Sequence, residues 1–90
     1  MYYTYGMYKV YLLLSLKYPK KSYVGVTIKE PADRVKEHND GLSQSTKAFR
    51  PWKLVYYETF YCELCASKRE RFLKSGFGFK LRKILLDNFK

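Results

Sequence analysis

Ninety residues suit one domain with a modest core and leave no room for a separate sequence-reading domain. The chain is 47% hydrophobic and 19% aromatic, which excludes a disordered segment. It carries 18 Lys and Arg against 8 Asp and Glu, a net charge of +10, which favours a polyanionic partner: nucleic acid first, an anionic membrane surface second.

A basic surface can also be merely solvated, so charge alone assigns nothing. No run approaches the roughly 20 apolar residues that span a bilayer. The start, M-Y-Y-T-Y-G-M-Y-K, lacks the basic region and apolar core of a secretory signal. The two cysteines, Cys62 and Cys65, sit three apart, and the compartment reads as reducing and cytoplasmic. Residues 1–90 read as one domain, with the aromatic, aperiodic stretch 1–7 a possible N-terminal extension.

Residues 8–15 predict a first strand, apolar almost throughout, as a central strand covered on both faces would be. Residues 16–21, L-K-Y-P-K-K, form the connection, with Pro19 as its breaker. Residues 22–27 predict a second strand, antiparallel to the first. Tyr11 and Tyr23 share a face of this hairpin only if paired residue numbers sum to an even value, because side chains alternate along a strand. In that register the two hydroxyls lie diagonally across neighbouring strands, within reach of one small ligand.

A helix is expected over residues 31–40, with Pro31 in its first turn and Gly41 just past its end. Ala32, Val35 and Leu42 mark its expected buried side. Arg34 and His38, four apart, share a side of it near the sheet's rim. Residues 41–51 form a polar, basic loop, long enough to suggest function. Lys47 and Arg50 are its candidate phosphate contacts. Residues 52–61, W-K-L-V-Y-Y-E-T-F-Y, give the clearest strand signal. Trp52 and one row of the aromatics here are expected in the core.

A helix over residues 62–75 follows. It places Cys62, Cys65, Ala66, Phe72 and Leu73 on one apolar arc, with Arg69 inside the arc and unaccounted for. Gly76 and Gly78 are expected to break it, and residues 79–88 to form a last basic, amphipathic helix. A tetrahedral zinc site needs four ligands, and one C-x-x-C with one distant histidine does not supply them. Burial on the apolar arc is the simpler expectation for the cysteines. Glu70 flanks that arc among basic neighbours. It is either a surface acid paired with Lys74 one turn on, or a single carboxylate of the kind that holds Mg²⁺ together with water and substrate phosphate.

Taken together and in order, these segments resemble the GIY-YIG nuclease superfamily over about residues 10–86. K-V-Y at 9–11 stands where the family has its first tripeptide, with Lys9 and Val10 replacing Gly and Ile. Y-V-G at 23–25 is similar to the second tripeptide. D-R-V-K-E-H-N-D-G at 33–41 resembles the family's arginine-bearing helix, including the histidine of one branch. S-T-K-A-F-R-P-W-K-L-V-Y-Y-E at 45–58 resembles a segment of small stand-alone bacterial members, similar to the excision-repair incision domain. A-S-K-R-E-R-F-L-K at 66–74 resembles the helix bearing the metal-binding glutamate.

The resemblance implies an α+β fold: a three-stranded antiparallel sheet flanked by helices, in the order β-β-α-β-α-α. It implies metal-dependent endonucleolytic hydrolysis of phosphodiester bonds in DNA, with one Mg²⁺ or Mn²⁺, in repair or recombination. Tyr11 would then be general base or position the attacking water, and Tyr23 would hydrogen-bond in the same site. Arg34 would stabilise charge on the scissile phosphate, His38 would assist or position, and Glu70 would bind the metal. A tyrosine base is chemically awkward, since its free pKa is about 10. The competing expectations are a non-catalytic nucleic-acid-binding module of the same fold and a basic protein-interaction domain. The small size predicts low sequence specificity, structure selectivity, or targeting by a protein partner.

Overall fold

The computed structural model describes residues 7–88, so the expected N-terminal extension lies outside the described residues except for the exposed Met7. The elements are β1 (Tyr8–Ser15), β2 (Ser22–Thr27), α1 (Pro31–Asn39), β3 (Trp52–Phe60), α2 (Glu63–Lys74) and α3 (Gly76–Asp87), with one 3₁₀ turn at Lys47–Phe49. The strands form a single antiparallel sheet in the order β2-β1-β3. The expected α+β order of elements is the one observed.

β1 is the central strand, which explains why its sequence does not alternate. Val10, Leu12 and Leu14 face one side, where they pack with Val24, Val55 and, from α2, Ala66 and Leu73. Tyr11 and Leu13 face the other, with Trp52 and the half-buried Tyr23, Val35 and Phe49. Every second residue of β1 therefore belongs to a different half of the core. Fully burying one such aliphatic side chain contributes about 1.5–3 kcal/mol, so both halves depend on this strand.

Tyr11 pairs with Gly25 and Leu13 with Tyr23, which is the even register. Tyr11 and Tyr23 are thereby on one face. The glycine is required: a Cβ at residue 25 would lie 2.6 Å from Cζ of Tyr11 and 2.9 Å from Cε2 of Tyr23.

β3 does not keep a simple alternation. Leu12 pairs with Tyr56 but Leu13 with Leu54, so Val55 is an extra, bulged residue. The bulge swaps faces: Trp52 and Leu54 lie on the Tyr11 side, Tyr56 and Phe60 on the α2 side. Trp52 and the one aromatic row of Tyr56 and Phe60 therefore pack on opposite faces of the sheet. Trp52 is buried, Tyr56 and Phe60 are half-buried, and Tyr57 is exposed.

The helices correct three expectations. In α1 the buried residues are Pro31 and His38, while Ala32 and Leu42 are exposed; only Val35 of the expected apolar side is partly covered. A polar side chain takes the inner position because its hydrogen bonds are satisfied there. In α2 only Ala66 and Leu73, seven residues apart on one face, are buried. Cys62 and Cys65 are exposed free thiols, and Phe72 is largely exposed. Cys62 is the N-cap, and its Sγ accepts the Cys65 N–H at 3.3 Å, so it turns back to its own helix instead of inward.

The third correction concerns Gly76 and Gly78, which open α3 and do not merely break α2. Ser75 caps α3 through its Oγ, which accepts the Gly78 N–H at 3.3 Å and donates to the Phe72 carbonyl at 2.6 Å. A Cβ at Gly78 would collide with that carbonyl and lie 2.7 Å from the Leu73 Cα. The glycine thus permits the tight turn between two packed helices.

Candidate active site

The site is built on the face that Tyr11 and Tyr23 share. Gly41, at φ 81°, ends α1 and turns the chain into the loop. The loop's Thr46 is then carried back over the helix. His38 reaches inward from α1 and is 0% exposed. Its Nε2 lies 2.8 Å from the Tyr11 hydroxyl and its Nδ1 lies 2.7 Å from Thr46 Oγ1. The ring centroids of Tyr23 and His38 are 5.1 Å apart and those of Tyr11 and Tyr23 6.2 Å apart, so three rings meet at one point.

Backbone-directed bonds lock this centre. The Trp52 indole Nε1–H donates to the Thr46 carbonyl at 3.0 Å. Asn39 bridges α1 to the first residue of β3: its Oδ1 accepts the Trp52 N–H at 2.6 Å and its Nδ2 donates to the Trp52 carbonyl at 3.1 Å. Helix, loop and sheet are therefore tied around His38, and among the described residues no buried side-chain polar atom lacks a partner.

Charged groups surround the hydroxyl of Tyr11. Arg34 donates from Nη1 to Glu37 at 2.8 Å, and Glu37 also pairs with Lys29. Glu70 of α2 pairs with Lys74 at 3.1 Å through one carboxylate oxygen. Burial pushes the Tyr11 pKa up to about 12; the neighbouring Tyr23 adds to the rise, the positive charge of Arg34 opposes it, and Glu70 adds to it. Burial pulls His38 down to about 4, helped by Arg34 and opposed by Glu37. At neutral pH the pair is thus a neutral phenol against a neutral imidazole.

The α2 helix is held on the sheet by the residue that its sequence pattern left unexplained. Arg69 makes a two-pronged contact with Glu58 of β3, Nε to Oε1 at 2.7 Å and Nη2 to Oε2 at 2.8 Å, and Tyr56 donates to the same carboxylate at 2.5 Å. Such paired bonds fix orientation as well as distance. They fix the rotation of the helix that carries Glu70 in the next position.

The five expected catalytic residues thus come from β1, β2, α1 and α2. Tyr11, Tyr23 and His38 are in ring contact, and the charges of Arg34 and Glu70 are felt at Tyr11. Lys47 and Arg50 are elsewhere. They line a surface concavity of about 450 Å³ with Lys17, Gln44 and Ala48, and none of the five lines it.

The model of the GIY-YIG catalytic domain matches residues 7–83. The chain belongs to the GIY-YIG family. No curated protein matches it significantly. The GIY-YIG first tripeptide is represented by Lys9-Val10-Tyr11, and its two replacements leave the strand regular: Lys9 pairs with Thr27 and Val10 with Val26. Lys9 reaches Glu30 at 3.9 Å, while Val10 is core. The tyrosine of the tripeptide is therefore presented by an undistorted GIY-YIG hairpin.

Family membership implies a nuclease-type domain acting on nucleic acid, a class that uses divalent metals. Among the described residues no three His, Cys, Asp or Glu side chains cluster as a metal cage. Glu70 nevertheless suits Mg²⁺, which keeps several waters and is held by one or two carboxylates with substrate phosphate. Lys74 engages the Oε2 oxygen of the Glu70 carboxylate. No helix among the described residues is long and apolar enough to cross a membrane.

Asn39 and Thr46 were given no role from the sequence, and Gly25 entered only as the last residue of the second tripeptide. Thr46 lies in an aperiodic polar loop, and nothing local marks it. Gly25 had a signal, since it follows a tyrosine in a strand and so marks a close approach.

Proposed function

We propose that the protein is a Mg²⁺- or Mn²⁺-dependent endonuclease that hydrolyses phosphodiester bonds in DNA, with low sequence specificity or selectivity for structure, in a reducing cytoplasmic setting of repair or recombination. The observation that carries this reading is the buried 2.8 Å contact between the Tyr11 hydroxyl and His38 Nε2, with an arginine and a carboxylate close enough to alter the titration of that tyrosine.

In the reaction, a water oxygen bonds to phosphorus and one sugar oxygen leaves. Tyr11 orients that water and accepts its proton. A tyrosine with a pKa of about 12 is no standing phenolate at neutral pH, so its partner His38 shares the task. Tyr11 is 1% exposed, so the water enters at the rim, where the Arg34 and Glu70 side chains are each 25% exposed. Tyr23 adds a hydroxyl to the same face. Arg34, preorganised by Glu37, meets the charge that builds on the phosphate. Glu70 would hold the metal, whose contribution when bound is Lewis-acid stabilisation of that charge.

DNA would be steered by the cations that take no part in the described ion pairs. Lys17, Lys47 and Arg50 share one concavity, and Lys20 and Lys21 line another on the β1–β2 connection. The aromatics Tyr18 and Phe49 stand among them, their rings edge-on at 5.5 Å, with Lys21 Nζ 4.8 Å from the Phe49 centroid. Cations interleaved with aromatic faces suit a phosphate backbone and splayed bases.

A second reading, a binding module that has kept the fold without the chemistry, draws support from the ion pair between Lys74 and Glu70, which competes with a metal. The two readings separate in a panel of single-stranded, duplex, flapped and branched DNA with Mg²⁺ or Mn²⁺. The nuclease reading expects metal-dependent cleavage that Glu70→Gln abolishes while leaving binding intact. Tight binding without cleavage by the wild type would favour the binding module.

A further inference from the structure

We propose that Thr46 is a positioning residue that fixes which nitrogen of His38 carries the proton, and so makes the Tyr11–His38 pair a one-way proton path from Tyr11 to His38. The proposal rests on the nuclease reading for its consequence, but its core is a statement about hydrogen atoms in the resting protein.

A neutral imidazole has one N–H, and the choice of nitrogen is set by what the other nitrogen meets. Both nitrogens of His38 meet hydroxyls, of Tyr11 and of Thr46, and a hydroxyl can donate or accept. The tie is broken one bond further out. Thr46 Oγ1 lies 3.4 Å from the Ser43 carbonyl oxygen, which has no hydrogen to give. The Thr46 hydroxyl hydrogen therefore belongs on that side. Its oxygen is left to accept, so Nδ1 of His38 carries the proton. Nε2 is then a lone pair, and the Tyr11 O–H donates to it.

Nothing in the surroundings lets this order relax. Thr46 is 0% exposed, so no water competes for its hydroxyl. Its backbone N–H donates to the same Ser43 carbonyl at 3.2 Å, and its own carbonyl is held by the Trp52 indole. These two bonds fix the Thr46 backbone, and its hydroxyl is held by the contacts to His38 and Ser43.

The consequence is chemical. With its proton directed at Nε2, Tyr11 presents oxygen lone pairs to a water. As that water's oxygen bonds to phosphorus, the bond from phosphorus to the sugar oxygen breaks, and that oxygen leaves with the electron pair and takes a proton from solvent; the water's proton moves to the Tyr11 oxygen while the Tyr11 proton moves to Nε2. His38 becomes an imidazolium, Tyr11 remains a phenol throughout, and the count of protons is unchanged. The opposite tautomer would donate Nε2–H to Tyr11 and leave no acceptor, so the path would be closed.

The experiment is ¹⁵N NMR of the ring nitrogens of the single histidine at neutral pH, read alongside cleavage. The wild type is expected to show a protonated Nδ1 and an unprotonated Nε2, with the same pattern in Thr46→Ser. Thr46→Val is expected to lose that preference and to lower kcat by roughly 10- to 100-fold with KM unchanged, as supporting partners do elsewhere. A wild type with the proton on Nε2 would overturn the proposal, whether or not the valine variant folds. So would a folded Thr46→Val with the tautomer unchanged. A wild type with the expected tautomer that cleaves no nucleic acid would defeat the nuclease reading and leave the assignment of Thr46 standing.

Discussion

Acid should strip stability from this protein through one residue. His38 is fully buried and neutral, with its pKa pulled from 6.5 to about 4. Between those values the unfolded chain binds a proton that the folded chain does not. Stability therefore rises with pH across that window and is lost as pH falls through it. From pH 7.5 down to 4.5 the loss from this residue alone is on the order of 2–3 kcal/mol, a large part of the stability of a domain this size.

The groups facing the ring are Tyr11 and Thr46, which hydrogen-bond it, Tyr23, whose ring packs against it, and Arg34 and Glu37 on its own helix, whose charges act in opposite senses. Glu58, held below the usual carboxylate range by Arg69, also loses stability in acid, so the histidine has to be isolated by difference. Urea unfolding of the wild type and His38→Gln at pH 7.5 and 4.5 does this: the wild type should lose on the order of 2–3 kcal/mol more than the variant. The chain has one histidine, so its ring C–H resonances report the folded pKa without ambiguity, and their midpoint is expected near 4. Parallel acid losses in the two proteins, or a folded midpoint near 6.5, would refute the claim that His38 is held neutral in the site.

Arg69→Met should lower stability by about 2 kcal/mol, the order expected for charge-assisted hydrogen bonds to a partly buried carboxylate, in denaturant unfolding at pH 7; it should also raise the Glu58 pKa in a carboxyl NMR titration. Lys17→Gln combined with Lys47→Gln should weaken DNA binding uniformly across sequences, and should reduce the slope of log affinity against log salt by about 2, because each phosphate contact releases a counterion. Gly25→Ala should depress cleavage far more than DNA binding, because its Cβ would displace both tyrosine rings and leave the basic concavity alone.

Much of the fold was legible because the signals were local. The apolar run of β1 read as a strand covered on both faces, and it is one. Pro31 and Gly41 bracketed α1 to within a residue. Whether Tyr11 and Tyr23 share a face turned on a parity that loop length does not set, and only the register resolved it. The bulge at Val55 had no sequence mark, so nothing in the sequence showed that Trp52 and the row of Tyr56 and Phe60 serve opposite faces.

The misreading of α2 has a similar cause. Its apolar arc is real in projection, but a three-stranded sheet covers only Ala66 and Leu73, and the cysteines and Phe72 are left outside. Arg69 lay in the arc because it faces the sheet to meet Glu58, a partner eleven residues away that helix periodicity cannot find. In the site, the residue types pointed to the chemistry but not to their supports. Thr46 and Asn39 act through contacts set by the tertiary fold, and their neighbours in the chain give no hint of it.

The central claim is that phosphodiester hydrolysis runs through the Tyr11 hydroxyl. Tyr11→Phe keeps the ring in its place over Gly25 and removes one oxygen, so single-turnover cleavage of DNA with Mg²⁺ or Mn²⁺, measured beside DNA affinity, tests it most directly. The account predicts unchanged binding and a rate lowered by roughly 10²- to 10⁴-fold, the range for a lost general base. A Tyr11→Phe protein that cleaves at the wild-type rate would contradict it.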